Sequence, residues 1–335
     1  MKLTKIALGV ALVAGSVGAQ AAGQLFFPHV VVSGTVTTIA TVVNVGAADP
    51  AGQHWIYVGK NLMPGEDMAT FNAKTCSEVD VMLPTSDNNL QTVDLGAVIS
   101  KPGDYGVIFN DPSVKNQWRQ ALGGGAINYS LAHAYMTPAG AVGTRGYLVV
   151  DEAAGAGTLE GSALVFDYKT GSAWGYKAEE LADAVAAHGH APFSAHLMPK
   201  AEVVNRLMIT PLASAVADML PGGATFGAWG VTVAPQLVGT GHIVDRDENP
   251  ISGAAGSAVT CVGTVDVWDI LAPGAAQFAP DGGWVSVQTA AAAAPLGAAA
   301  RAEVFQLDFG GQGATTGTLN GVSYPGTWNN VYQAQ

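Results

Sequence analysis

The chain has 335 residues, with 14 Lys and Arg against 26 Asp and Glu, a formal net charge of −12, and 49% apolar residues. So acidic a chain, with no basic run, excludes nucleic-acid binding and anionic-membrane binding, which need clustered Lys and Arg. Charged residues are only 12% and glycines number 43, so small and neutral polar residues cover the surface. Such a surface suits packing against copies of the chain or other surface components; a secreted protein rich in small residues gives the same composition.

Residues 1–21 read as a cleavable secretion signal. Lys2 and Lys5 form a basic start, Ile6 to Val17 is an apolar run too short to anchor a mature chain, and Ala19-Gln20-Ala21 is a small-x-small cleavage pattern. Removing Lys2 and Lys5 takes the net charge from −12 to −14. The expected location is outside the cytoplasm: periplasm, cell surface or medium. No later apolar stretch has membrane-spanning length, so no transmembrane anchor is expected in the mature chain.

The mature start is strand-like. Leu25 to Val32 is apolar and aromatic, and Thr35 to Val45 is β-branched almost throughout, with Gly34 between them. Residues 25–45 carry no charge. They form the first strands of the protein's own sandwich or donate a strand to a neighbour's sheet edge. His54 to Val58 is another strand, and further strands are expected at 78–83, 90–94, 105–109 and 127–135, with turns such as Lys101-Pro102-Gly103-Asp104 between. Asp111, Pro112 and Gly123 bracket a helix over 112–122.

Arg145 to Val150 and Ser162 to Tyr168 form a hairpin about a Gly/Ala-rich bend at 153–161. A helix is expected over 177–188, with Leu181 and Val185 on one face, and a third over 212–220. Strands return at 225–233, 237–244, 257–268, 283–289 and 302–309. The fold class is mainly β: a sandwich-like N-terminal region, 22–190, and a β-rich C-terminal region, 191–335. The helices and the ending Val331-Tyr332-Gln333-Ala334-Gln335 argue against an outer-membrane barrel. Cys76 and Cys261 are a pair expected to be bridged in an exported protein, closing a loop worth about 4–5 kcal/mol. Two separately buried thiols are the alternative.

Chemistry has few candidates. His188, His190 and His196 lie within nine residues, followed by Met198, a set suited to copper or zinc; the alternative is a solvated helix end. Asp245, Asp247 and Asn249 alternate as calcium ligands do, but an EF-hand would need Gly where Pro250 stands and Glu where Gly256 stands. Gly241-His242-Ile243-Val244-Asp245 followed by Asn249-Pro250-Ile251-Ser252-Gly253-Ala254 resembles the hairpin of small prealbumin-like sandwich domains of bacterial surface proteins. That resemblance implies a structural turn and an immunoglobulin-like or prealbumin-like sandwich. Trp174, Tyr176, Trp229 and Trp328 stand beside glycines or a proline and read as sugar-stacking rings or as core plugs. No Gly-x-Ser-x-Gly elbow, His-Glu-x-x-His motif or phosphate loop is present. The sequence therefore points to a non-enzymatic exported protein that assembles or adheres, with a carbohydrate- or metal-binding module as the alternative.

Overall fold

The computed structural model describes residues 23–46, 52–99, 103–123, 131–136, 139–152, 159–168, 172–187, 193–200, 203–236, 243–251, 255–291, 301–310 and 328–333. The leader-like segment 1–21, His188, His190, the bend at 153–158 and most of the low-complexity stretches at 290–294 and 310–317 lie outside the described residues.

The uncharged start forms β1 (Gln24–Ser33) and β2 (Val36–Asn44). Ser33 Oγ accepts from the N–H groups of Thr35 and Val36, tightening the turn between them. The two strands enter different sheets, so each buries its apolar residues in the protein's own core. Next come β3 (Gln53–Leu62), α1 (Met68–Ala73), β4 (Ser77–Leu83), β5 (Leu90–Asp94) and β6 (Val107–Phe109). Asp67 caps α1 by accepting from Thr70 N–H. Then follow α2 (Pro112–Gly123), α3 (Leu131–Met136), β7 (Gly143–Glu152), β8 (Leu159–Asp167), β9 (Ser172–Lys177), β10 (Glu179–Glu180) and α4 (Leu181–Ala187).

The second half runs through β11 (Phe193–Leu197), β12 (Val203–Leu212), β13 (Gly230–Pro235), β14 (Ile243–Asp245), β15 (Ser257–Thr260) and β16 (Gly263–Asp266). It closes with α5 (Ala275–Phe278), β17 (Gly283–Ala291), β18 (Arg301–Gly310) and β19 (Trp328–Gln333).

Among the described residues, all strand pairs are antiparallel and make four sheets. The first sheet has the order β6-β5-β2-β8-β9 and the second β10-β1-β7-β3-β4. The third is β16-β12-β18-β19, and the fourth β11-β17-β13-β15, with β14 also on β17. The fold is thus mainly β and sandwich-like. The strands of the first two sheets lie within residues 24–180, those of the last two within 193–333.

Sheets one and two enclose Val36, Ala40, Val42, Val93 and Val165 on one side and Phe27, Trp55, Tyr57, Leu148 and Val150 on the other. Trp118 of α2 stands edge-on to Trp55, ring centroids 5.5 Å apart, and donates through its indole N–H to Pro84 O. The second sheet is buried on both faces. Phe26, Ile56, Val58, Tyr147 and Val149 meet Leu181 and Val185 of α4, together with Leu212, Met219, Trp229 and Cys261. That explains why β1, β3 and β7 read as near-continuous apolar runs. Gly59 and Gly146 are partners across β3 and β7 beneath the Tyr57 ring; a Cβ on Gly146 would sit 2.1 Å from Val58 O.

Sheets three and four enclose a second core of Leu207, Ile209, Val265, Val231, Val259 and Val285. The other face of the third sheet turns toward the first half: Met208, Phe305 and Leu307 belong to the N-terminal core. Phe305 packs on Trp174 and Tyr176 at 5.6 and 5.2 Å between centroids. The Cys76–Cys261 disulfide, with Cα atoms 5.9 Å apart, joins the halves covalently. Beside it, Cys76 N–H donates to Gly227 O. Gly227 has φ 71°, and a Cβ there would strike Cys76 O.

Several expected elements differ. The third expected helix is a single 3-10 turn, Val216–Met219, because β12 runs on to Leu212 in a ten-residue ladder with β18. The helix expected from 177 begins at Leu181, since Glu179 and Glu180 pair with Phe26 and Leu25 of β1. Leu131–Met136, expected to be strand, is a helix packed on β4. The expected strand 257–268 is two strands broken at Cys261, whose φ is 61°, followed by a 3-10 turn at Val267–Ile270. Residues 225–227 form a turn, 228–229 belong to no regular element, and the strand starts at Gly230.

Candidate functional site

The interior holds more ionisable groups than a β-sandwich core requires. Lys60 on β3 is 2% exposed, and its ammonium donates to the carbonyls of Asn72, Lys74 and Thr260 at 3.1, 3.1 and 2.7 Å. It also lies 4.7 Å from the Phe71 ring centroid. Burial, and then the Lys74 ammonium, push its pKa down to about 6, while Glu66 acts in the opposite sense. The amine ties α1 and Thr260 to the second sheet.

His29, fully enclosed on β1, stacks on Trp174 at 5.6 Å, and Tyr176 Oη donates to its carbonyl. Burial, and then the Arg145 guanidinium, hold its pKa well below 6.5. The unfolded chain takes up a proton at His29 below pH 6.5 while the folded chain does not. Its contribution to stability is therefore present above 6.5 and lost as pH falls below it. Replacing His29 by Phe, which preserves the stack, is expected to flatten the decline in unfolding free energy between pH 6.5 and 5. Urea titrations at those pH values measure the change.

Among the described residues, no three His, Cys, Asp or Glu side chains form a group fit to hold a metal ion. His196 is exposed on β11, with Trp284 as its Cα partner on β17; its backbone N–H and C=O are engaged by the Gln306 side-chain amide. His188 and His190, its expected companions, lie outside the described residues. Asp245 ends β14 on the opposite side of β17 from β11, so His196 and Asp245 are about two strand spacings, ~10 Å, apart.

The Asp245 carboxylate is engaged by its own turn. Oδ1 accepts from Asp247 N–H and Asn249 N–H, and Oδ2 from the Asn249 amide. The Asn249 side chain, and then its backbone, hold that carboxyl below its ordinary pKa. Asp247 is exposed at the tip. The loop has the hydrogen bonding of an Asx-type turn.

Three of the four rings read as sugar-stacking candidates are enclosed. Trp174 is 5% exposed, between His29, Tyr176 and Phe305; Tyr176 is buried beside it; and Trp229 is buried against the disulfide region. A ring covered on both faces offers no platform for a sugar. Trp328 opens β19, and its side chain lies outside the described residues.

What does reach solvent is the outer face of the first sheet. Phe109, Thr92, Thr41, Ser162 and Lys177 form one row across its five strands. Leu90, Val43 and Glu160 form the next row, and Ile39, Leu164 and Gly175 a third. These side chains are half-buried or exposed, and none belongs to a core cluster. Thr41 and Thr92 share a hydroxyl hydrogen bond at 3.2 Å. Asp94 is withdrawn from the face: its carboxylate accepts from Thr37 Oγ1 and from the N–H groups of Gly96 and Ile99.

The rim adds exposed Val98, Ile99 and Ile108, and Phe109 is 53% exposed. Sequence reading missed this face. The signal present was the alternate positions Thr37, Ile39, Thr41 and Val43, with Leu90 on the neighbouring strand and Phe109 on the next. Comparison with protein-family models, with curated proteins and with solved structures gives no match.

Proposed function

We propose that this chain is an exported structural or cell-surface protein that assembles or adheres through the surfaces of its β-sandwich, without chemistry of its own. The observation that carries this reading is the outer face of the first sheet, where apolar and Thr side chains replace the alternating charges that usually keep a solvent face apart from other sheets. The leader-like residues 1–21 and the disulfide support export. The side chains of buried Lys60 and Asp94 are hydrogen-bonded to the protein's own groups and the His29 ring is stacked on Trp174, which supports a structural role. The carbohydrate-binding alternative has the enclosure of Trp174, Tyr176 and Trp229 against it.

Sedimentation velocity of the full disulfide-bonded chain tests the proposal. Expected is a weight-average mass that grows between about 1 and 200 µM, in the range where weak and moderate protein contacts form. A single monomeric species throughout, together with no binding to cell-surface material, would sink it.

A further inference from the structure

We infer that the outer face of the first sheet is the contact through which one copy of this chain packs on a second copy, as a two-fold dimer. The inference rests on the assembly reading above and names the partner for that surface. Five strands about 4.8 Å apart, with nine residues in β2 and β8, six in β9, five in β5 and three in β6, give a face of about 500 Å². A stable two-protein contact takes about 800 Å² from each partner, and exposed Ile99 and Ile108 on the rim extend the patch toward that size.

Charge selects the occupant. Two copies of a chain carrying −12 repel wherever acidic surfaces meet, and among the described residues the exposed charged side chains in the rows of this face are Glu160 and Lys177, of opposite sign. Shape selects the arrangement. Leu90 and Phe109 project on the β5–β6 side, whereas Ala173 and Gly175 leave the β9 side low. A two-fold axis along β2 lays the high side of each copy on the low side of the other, with Ile39 and Thr41 at the centre. The same rotation brings Lys177 over Phe109 of the second copy, because both lie in one row. Aligned face-to-face packing of twisted sheets is the ordinary sandwich geometry. The contact closes on itself, so any longer polymer requires a different surface.

The test uses the full chain by sedimentation equilibrium. Leu90→Glu, at an exposed position in one row with Glu160, is laid by the two-fold rotation against Glu160 of the second copy, so each dimer gains two like-charged pairs and dimerisation is expected to weaken roughly 100-fold or more. Ala173→Lys, a single exposed change on the low side, is the second variant and is expected to act in the same direction. Phe278→Lys, at a 72% exposed site on α5, should dimerise as the parent does. Far-UV circular dichroism and the unfolding midpoint establish that each variant is folded. If the parent assembles and both face variants assemble equally well, this face is not the contact, while the assembly reading stands. If the parent is monomeric at 200 µM, both fall.

Discussion

Replacing both Cys76 and Cys261 by Ser lowers the free energy of unfolding by about 5 kcal/mol. The bridge spans a sequence separation of 185, and in the unfolded chain it removes the configurations in which the two halves drift apart. In the folded chain it sits among buried Trp229, Val262 and Met219, against the outer face of the second sheet. Its loss also loosens the strained turn at Cys261, which ends β15 and lets β16 leave for a different sheet. The non-covalent ties across this junction persist: Asn72 holds Thr264 through two hydrogen bonds, and Lys60 holds Thr260. The double variant therefore folds but is less stable, and equilibrium unfolding in guanidinium measures the difference. A loss below about 1 kcal/mol would mean that those hydrogen bonds, not the bridge, hold the halves together.

The second large effect is on pH dependence. Lys60 binds its proton below about pH 6 in the folded chain, against an ordinary value of 10.5. Between these values the unfolded chain carries one more proton, so stability rises with pH by up to about 1.4 kcal/mol per unit. The contribution is flat below pH 6, where both states are protonated, and above 10.5, where neither is. The groups facing it are Lys74, which lowers its pKa, and Glu66, which is paired with Lys74 at 2.6 Å and raises it; Arg145 is the Cα partner of Lys60 on β7.

Between pH 6.5 and 8.5 the parent chain is expected to gain about 2–3 kcal/mol in unfolding free energy. Lys60→Met, which retains the stem against Phe71 but cannot titrate, loses that slope. It also strips three carbonyls of a donor at about 1–3 kcal/mol each, so its stability at pH 8.5 falls below that of the parent. Equal slopes for parent and variant would show that the three carbonyls hold the ammonium charged throughout this range.

The sequence and the structure agree where local pattern decides the outcome. The strand at 90–94 is found as expected, and the strands at 78–83, 283–289 and 302–309 to within two residues, because β-branched alternation bounded by turn residues needs no tertiary help. The Cys76–Cys261 bridge was legible from the cysteine count, since two cysteines allow a single pairing. What failed was decided by distant partners. Glu179 and Glu180 suit a helix start, yet β1 captures them as strand, and Leu212 continues β12 because β18 lies alongside. The charge-free start had two readings, and its burial answers for the protein's own core: β1 lies between β7 and β10, and β2 between β5 and β8. The enclosed Lys60 and His29 are invisible to pattern, since only the approach of α1, Thr260 and Trp174 defines their sites. Trp174 and Tyr176 show the same limit: Gly175 between them faces outward, and the group that packs on the two rings is Phe305 of the distant strand β18.

The proposed function is the packing of this largely apolar and Thr-lined sheet face against another protein surface, first of all that of a second copy. Hydroxyl-radical footprinting of the full chain, read by mass spectrometry at about 1 and 200 µM, addresses this most directly. Phe109 and Phe166, on the outer face of the first sheet, should be oxidised several-fold more slowly at the higher concentration, while Phe278 on α5 keeps its rate. Unchanged rates at Phe109 and Phe166 in a sample shown to be assembled, or no assembly at all, would contradict it.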